Sequence, residues 1–187
     1  YALARSRLKP ESYISQWLPA YQVSAETTLA MVRAFVDVFP QAVLLSGAGA
    51  ELVLLGTNAS HIEIDPARVA ASLTGAPAVQ ADLMRIDLGS VRELVGTFIA
   101  APQTLADATR GVAPVTDDRS LQEYQTQSRL TASRGGVPAS LLDLRQVGVW
   151  CPRCLVDGQP APIVEGLDAY LTLLEGAYKE TAPAAEG

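Results

Sequence analysis

The stretch AVLLSGAGAELVLLG, Ala42 to Gly56, decides how this chain is read. Two apolar runs flank a glycine-containing centre. One reading is a strand, a glycine-rich turn and a helix. That arrangement cradles a dinucleotide and needs an acidic residue about 20 residues on. Gly47, Gly49 and Glu63 roughly meet the spacing. The residues between them do not meet the physics. After SGAGA comes ELVLLG, short and apolar, which is strand-like. A phosphate needs a helix N-terminus at that point. Glu51 stands at the third glycine position, and its charge would repel a pyrophosphate. The stretch therefore predicts a hairpin. An oxidoreductase built on SGAGA and Glu63 would require a helix directly after Gly49.

Downstream lies SHIEIDPARVAASL, Ser60 to Leu73, which imitates the ribose grip of an α/β nucleotide fold. Asp65-Pro66 fits a helix N-cap followed by proline at the first helical position, so Asp65 is read as a cap. His61, the only histidine, is flanked by polar residues and reads as a surface side chain.

Upstream, YALARSRLKPES reads as a helix end closed by Pro10, with Arg5, Arg7 and Lys9 where cations suit the dipole. SYISQWL predicts a short strand. Ser24 caps a helix over SAETTLAMVRAFVDVF, with Leu29, Val32, Phe35, Val36 and Phe39 as its apolar stripe. Residues 65–109 are expected to be helical in short pieces: DPARVAASL, VQADLMRI, GSVRELVGTFI and APQTLADATR. Residues 125–148 are polar and glycine-rich and read as loosely ordered. VEGLDAYLTLLEGAYKE predicts a final amphipathic helix with Leu167, Tyr170, Leu171 and Leu174 inward. The tail TAPAAEG reads as disordered.

The totals exclude whole classes. The 187 residues are 49% hydrophobic and 18% charged, which marks a globular chain. A net charge of −6 and a pI near 4.8 disfavour a nucleic-acid surface. No apolar run reaches the roughly 18–20 residues of a membrane helix. The chain opens at Tyr1 in what reads as the middle of a helix, so a fragment lacking its front is expected. Two cysteines, Cys151 and Cys154, are too few for a secreted disulfide framework, and a reducing, cytoplasmic setting is the default.

Those cysteines stand in WCPRC. Three readings stay open: half of a zinc site completed by a partner chain, a redox dithiol, or two reduced thiols in a knuckle-like turn. In TDDRSLQEY, Asp117 and Asp118 can hold a cationic amine through charge-assisted hydrogen bonds, or cap a turn and pair with Arg119. No Ser/His/Asp set and no phosphate-binding loop is present.

Two separated stretches carry a resemblance. RLKPESYISQWLPAYQVSAETTLAMVRAFVDVFP, residues 7–40, resembles the part of the spermidine synthase (polyamine aminopropyltransferase) family that follows its catalytic strand. That family shows Arg-Leu-Lys-Pro at a helix end, a strand, Gln-Trp-Leu-Pro in its membrane-fused bacterial members, a helix, and Phe-Pro before a terminal hairpin. APVTDDRSLQEY, residues 113–124, resembles a late Thr-Asp-Asp-Arg-Pro-x-Leu-Glu-Tyr element of the same members, with Ser120 in place of the usual proline. The resemblance covers about residues 1–125; residues 126–187 connect to it only loosely.

The resemblance implies an α/β fold: the C-terminal part of a Rossmann-like, methyltransferase-type sheet ending in an antiparallel hairpin, then a mostly helical region. Residues 1–58 would belong to the α/β domain. Residues 59–125 would be a helical extension ending in the TDDR loop. Residues 126–187 would hold a linker, the cysteine knuckle and the terminal helix. The implied activity is aminopropyl transfer from decarboxylated S-adenosylmethionine, the co-substrate, to putrescine. The family's catalytic Asp, glycine loop and nucleotide-binding acid all precede the region matched by Tyr1, so no catalytic residue is expected in this chain. Gln16, Trp17 and Tyr21 would lie beside the substrate cleft, and Asp117 and Asp118 match the late motif. The parent would combine this segment with a missing N-terminal half, compatible with a membrane attachment upstream and with a homodimer. The alternative is a non-catalytic interaction module, with Cys151 and Cys154 as a zinc knuckle and the helices as its docking surface.

Overall fold

A computed structural model describes residues 1–20, 22–47, 51–116 and 137–181. It is a mixed α/β structure built around a four-stranded sheet in the order β1-β3-β2-β4. These strands are β1 (Tyr13–Leu18), β2 (Gln41–Ser46), β3 (Leu52–Thr57) and β4 (Phe98–Ala100). Every neighbouring pair is antiparallel.

The hairpin expected over residues 42–56 is present. β2 and β3 pair from Gln41↔Thr57 to Ser46↔Leu52. A strand follows Glu51, so the oxidoreductase reading fails. β1 pairs with the opposite side of β3, from Tyr13↔Thr57 to Leu18↔Leu52. β1 and β2 both run against β3 and are therefore parallel to each other. The helix α2 (Ala25–Val36) carries the chain between them. Ser24 caps it, its Oγ accepting from the Thr27 N–H at 3.0 Å. The short helix α1 (Ala2–Arg7) ends before Pro10, as expected.

The pleat sorts the strand residues onto two faces. Ala42 and Leu44 of β2 and Leu52 and Leu54 of β3 point to a core shared with Met31, Val32, Phe35 and Phe39. Leu29 and Val36, expected in the stripe of α2, are only partly buried there. Gly56 has a steric role: a Cβ there would stand 2.8 Å from Cε1 of Phe35 and 2.9 Å from Cβ of Phe39. Tyr1 packs edge-on against Phe35, with ring centroids 5.3 Å apart.

The other face carries a second core. Val43 of β2 and Phe98 of β4 meet residues from α3 (Pro66–Gly75), α5 (Val91–Val95), α7 (Val147–Trp150) and α8 (Leu167–Thr181). Parts of the second and third expected segments thus form one layer on the sheet. Of the expected caps, Asp65 and Ser90 are both in place. Ser90 forms a reciprocal capping box with Glu93. α4 (Pro77–Met84) buries no residue, and α6 (Pro102–Ala108) packs Leu105 under the sheet.

Two local expectations are corrected. GSVRELVGTFI does not stay helical to its end. α5 stops at Val95, the Gly96 N–H bonding to Arg92 O at 2.8 Å, and Phe98–Ala100 becomes a strand. Phe98 enters one core and Ile99 and Ala100 the other, so burial on both faces outweighs helix propensity. Residues 137–148 are not loose. Leu141 ends one short single-turn helix and Leu144 begins the next, each buried in a different core, with Val147 beyond them. The expected loose stretch 125–136 and tail residues 182–187 lie outside the described residues. A small hairpin, β5 (Leu155–Val156) and β6 (Gln159–Pro160), turns at Asp157 and Gly158, both with positive φ.

Candidate functional site

The expected substrate residues begin on β1, which forms one margin of the sheet among the described residues. Alternation puts Gln16 on the α2 side with Ile14 and Leu18. Tyr13, Ser15 and Trp17 face the other way. Gln16 is half-buried, and its Nε2 donates to the carbonyl of Trp17 at 2.8 Å. Trp17 is 44% exposed and Tyr13 is 51% exposed, because the second layer covers β2 and β4 and stops short of β1. Tyr21, Asp117 and Asp118 lie outside the described residues.

The chain leading to the two aspartates is described as far as Thr116. The Val115 N–H donates to the carbonyl of Ala30 in α2 at 3.2 Å, and Val115 packs on the core that holds Leu18 and Ala20. The Gln-Trp-Leu-Pro segment and the approach to the Thr-Asp-Asp motif are therefore brought to the same core, from opposite sides of α2's sequence. Sequence separation hides this neighbourhood.

For Cys151 and Cys154 a zinc half-site, a redox dithiol and two reduced thiols stood open; their sulfurs are bonded to each other, 2.01 Å apart, so the reading as two reduced thiols is replaced. Both residues are fully buried in the second core, beside Trp150 and Val164. A sulfur in a disulfide is not the thiolate that zinc takes. Among the described residues no group of three or more His, Cys, Asp or Glu could hold a metal ion. His61 is exposed, with Nδ1 3.2 Å from the hydroxyl of Ser60.

Asp65 turns out to have two tasks. One carboxylate oxygen accepts from the Ala67 N–H at 3.0 Å and caps α3. The other accepts from Arg153, the third residue of the Cys-Pro-Arg-Cys turn. Glu63 is exposed. The ribose-grip look-alike is thus a structural clip between two distant segments. Partial loss of hydration opposes ionisation of Asp65. The Ala67 N–H, Arg153 and the Arg68 N–H together outweigh it and hold its pKa below the usual value of 3.8. Its folded-state pKa is depressed, so its contribution to stability is present above the unfolded value and is lost as pH falls through the folded one. The gap in melting temperature between the native protein and Asp65→Asn, which keeps a capping side chain, should be full at neutral pH. It should close below about pH 4. A gap unchanged in acid would refute the charge assignment.

A surface depression of about 510 Å³ lies elsewhere, lined in part by Gln41, Gln103, Asp107, Asp143, Gln146 and Val149. Gln41 marks the end of the sheet opposite Leu18. The two carboxylates of the depression are already engaged: Asp107 by Gln103 and Arg110, Asp143 by the Thr104 hydroxyl at 2.5 Å. It therefore offers no open acid pair and includes none of the expected site residues. Among the described residues no helix is long and apolar enough to cross a membrane. No family model, curated protein or solved structure matches the chain.

Proposed function

We propose that this chain is the C-terminal part of a spermidine synthase-like aminopropyltransferase and is inactive by itself. The observation that carries the reading is the order β1-β3-β2, in which the second arm of a hairpin lies between two parallel strands joined by a helix. A methyltransferase-type sheet with a terminal antiparallel hairpin accommodates these as its last three strands. Among the described residues β1 stands at a sheet margin, with Tyr13 51% and Trp17 44% exposed, where further strands and a covering layer would add. The reading is supported by Arg-Leu-Lys-Pro closing α1, while Gln16 to Leu18 complete β1 itself.

In this reading the diamine must lose a proton and attack the carbon beside a sulfonium. The acid that takes the proton and the loop that holds decarboxylated S-adenosylmethionine belong to the missing half. Gln16, Trp17 and Tyr21 would border the cleft from this side, and Asp117 and Asp118 would serve the late motif of the resemblance. Putrescine is the proposed acceptor. A second reading, a non-catalytic docking module, is favoured by α4, where Val79 and Met84 are exposed with Ile86 just beyond.

The complete reading frame should be expressed and assayed for aminopropyl transfer to putrescine, with this chain in parallel. Transfer by the long form and none by this chain is the expected result. A frame that starts at Tyr1, or a long form that transfers to no diamine, would overturn the assignment and leave the docking reading.

A further inference from the structure

We infer that the Cys151–Cys154 disulfide is a redox-sensitive element whose access to thiols is controlled by the Arg153–Asp65 ion pair. Three observations lead there, none of which depends on the transferase reading. The bond joins residues three apart, so it closes a very small ring and contributes little to holding the chain together at long range. It can be opened without unfolding the protein. The turn that contains it is nevertheless wired to distant parts. The carbonyl of Trp150 accepts from the Ile64 N–H at 2.7 Å, and the carbonyl of Cys154 accepts from the Ala161 N–H at 2.8 Å. Trp150 also stacks on Phe98 of the sheet, with ring centroids 5.9 Å apart. Finally, both cysteines are fully buried, so no thiolate reaches them until the turn opens. Arg153 lies between the two cysteines, and its ion pair with Asp65 tethers the outer side of that turn to α3.

The step is ordinary thiol–disulfide exchange with a dithiol as reductant. A thiolate of the dithiol attacks one cysteine sulfur, the Cys151–Cys154 bond breaks, and a mixed disulfide forms. The second thiol of the reductant then displaces the protein sulfur. The dithiol leaves as a cyclic disulfide, having supplied two electrons, and two protons end on the cysteine thiols. The consequence is local: the turn is freed and Trp150 loosens against Phe98.

The test follows reduction of the intact chain by excess dithiothreitol, quenched by alkylation and read by mass, with near-ultraviolet circular dichroism in parallel. Arg153→Ala and Asp65→Asn should each be reduced about two- to five-fold faster than the native chain, the range an exposed ion pair supports. The double variant should be no faster than either single one. The aromatic dichroism should change in step with reduction while the far-ultraviolet signal holds. Equal rates in all four proteins would overturn the inference. So would additive acceleration in the double variant, an unchanged aromatic signal, or thiols that alkylate fully before any reductant is added.

Discussion

Phe35→Ala is expected to lower the unfolding free energy by about 3–5 kcal/mol, the range for emptying a buried aromatic site. Margins of about 5–15 kcal/mol are usual for a domain, so the loss would be severe. The reason is the position of the ring. Phe35 is fully buried, and it meets Tyr1, Phe39 and the backbone of β3 at Gly56. It joins the helix between the parallel strands to the inserted strand. A companion substitution tests the geometry. Gly56→Ala would bring its Cβ to 2.8 Å and 3.0 Å from two ring atoms of Phe35. Overpacking of this kind costs about 1–3 kcal/mol in the native chain. In the Phe35→Ala background part of that cost should vanish, because two of the three nearest atoms are gone. Phe39 Cβ at 2.9 Å keeps the rescue incomplete. Urea unfolding of the four proteins gives the cycle. Strict additivity, or a Phe35→Ala loss below about 1.5 kcal/mol, would mean that the ring does not fill this site.

What the sequence disclosed follows from the range of each interaction. The hairpin over residues 42–56 was legible because Glu51 and the short apolar run after SGAGA are local facts. So were the caps at Ser24, Asp65 and Ser90, each decided within three residues. The terminal helix was legible from its stripe, and Leu167 and Leu171 are indeed buried. The failures are tertiary. Phe98–Ala100 is three residues long and follows directly on a helical pattern; only its pairing with β2 makes it a strand. The small hairpin at Asp157-Gly158 did carry a local signal, the Asp-Gly turn pair. The clip from Asp65 to Arg153 spans 88 residues and left no local trace. Of the candidate site, Gln16 and Trp17 were legible only through a resemblance. Their placement at a sheet margin depends on which strand the hairpin brings beside β1, which no window around them contains.

Trp150→Ala should be as damaging as Phe35→Ala, but on the opposite face and with a different pattern. The indole is 4% exposed and lies nearly parallel to the ring of Phe98, at 18°. Truncating it should cost about 3–5 kcal/mol through lost burial and an unfilled cavity. The sheet separates the two cores, with α2 and α6 on one face and the layer with Trp150 on the other, and Leu142 and Tyr178 pack against both at the margin. The loss should therefore fall first on that layer. Amide exchange should rise across residues 144–171 and near Ile64, whose N–H bonds to the Trp150 carbonyl. Amides of α2 and of the β2–β3 pairing should keep their protection until global unfolding. The cysteine turn adjoins the same cavity, so its disulfide should also become easier to reduce than in Arg153→Ala, where only the surface tether is lost. If exchange instead rises uniformly through both faces, the layers are one cooperative unit. The sheet would then transmit the defect from one core to the other.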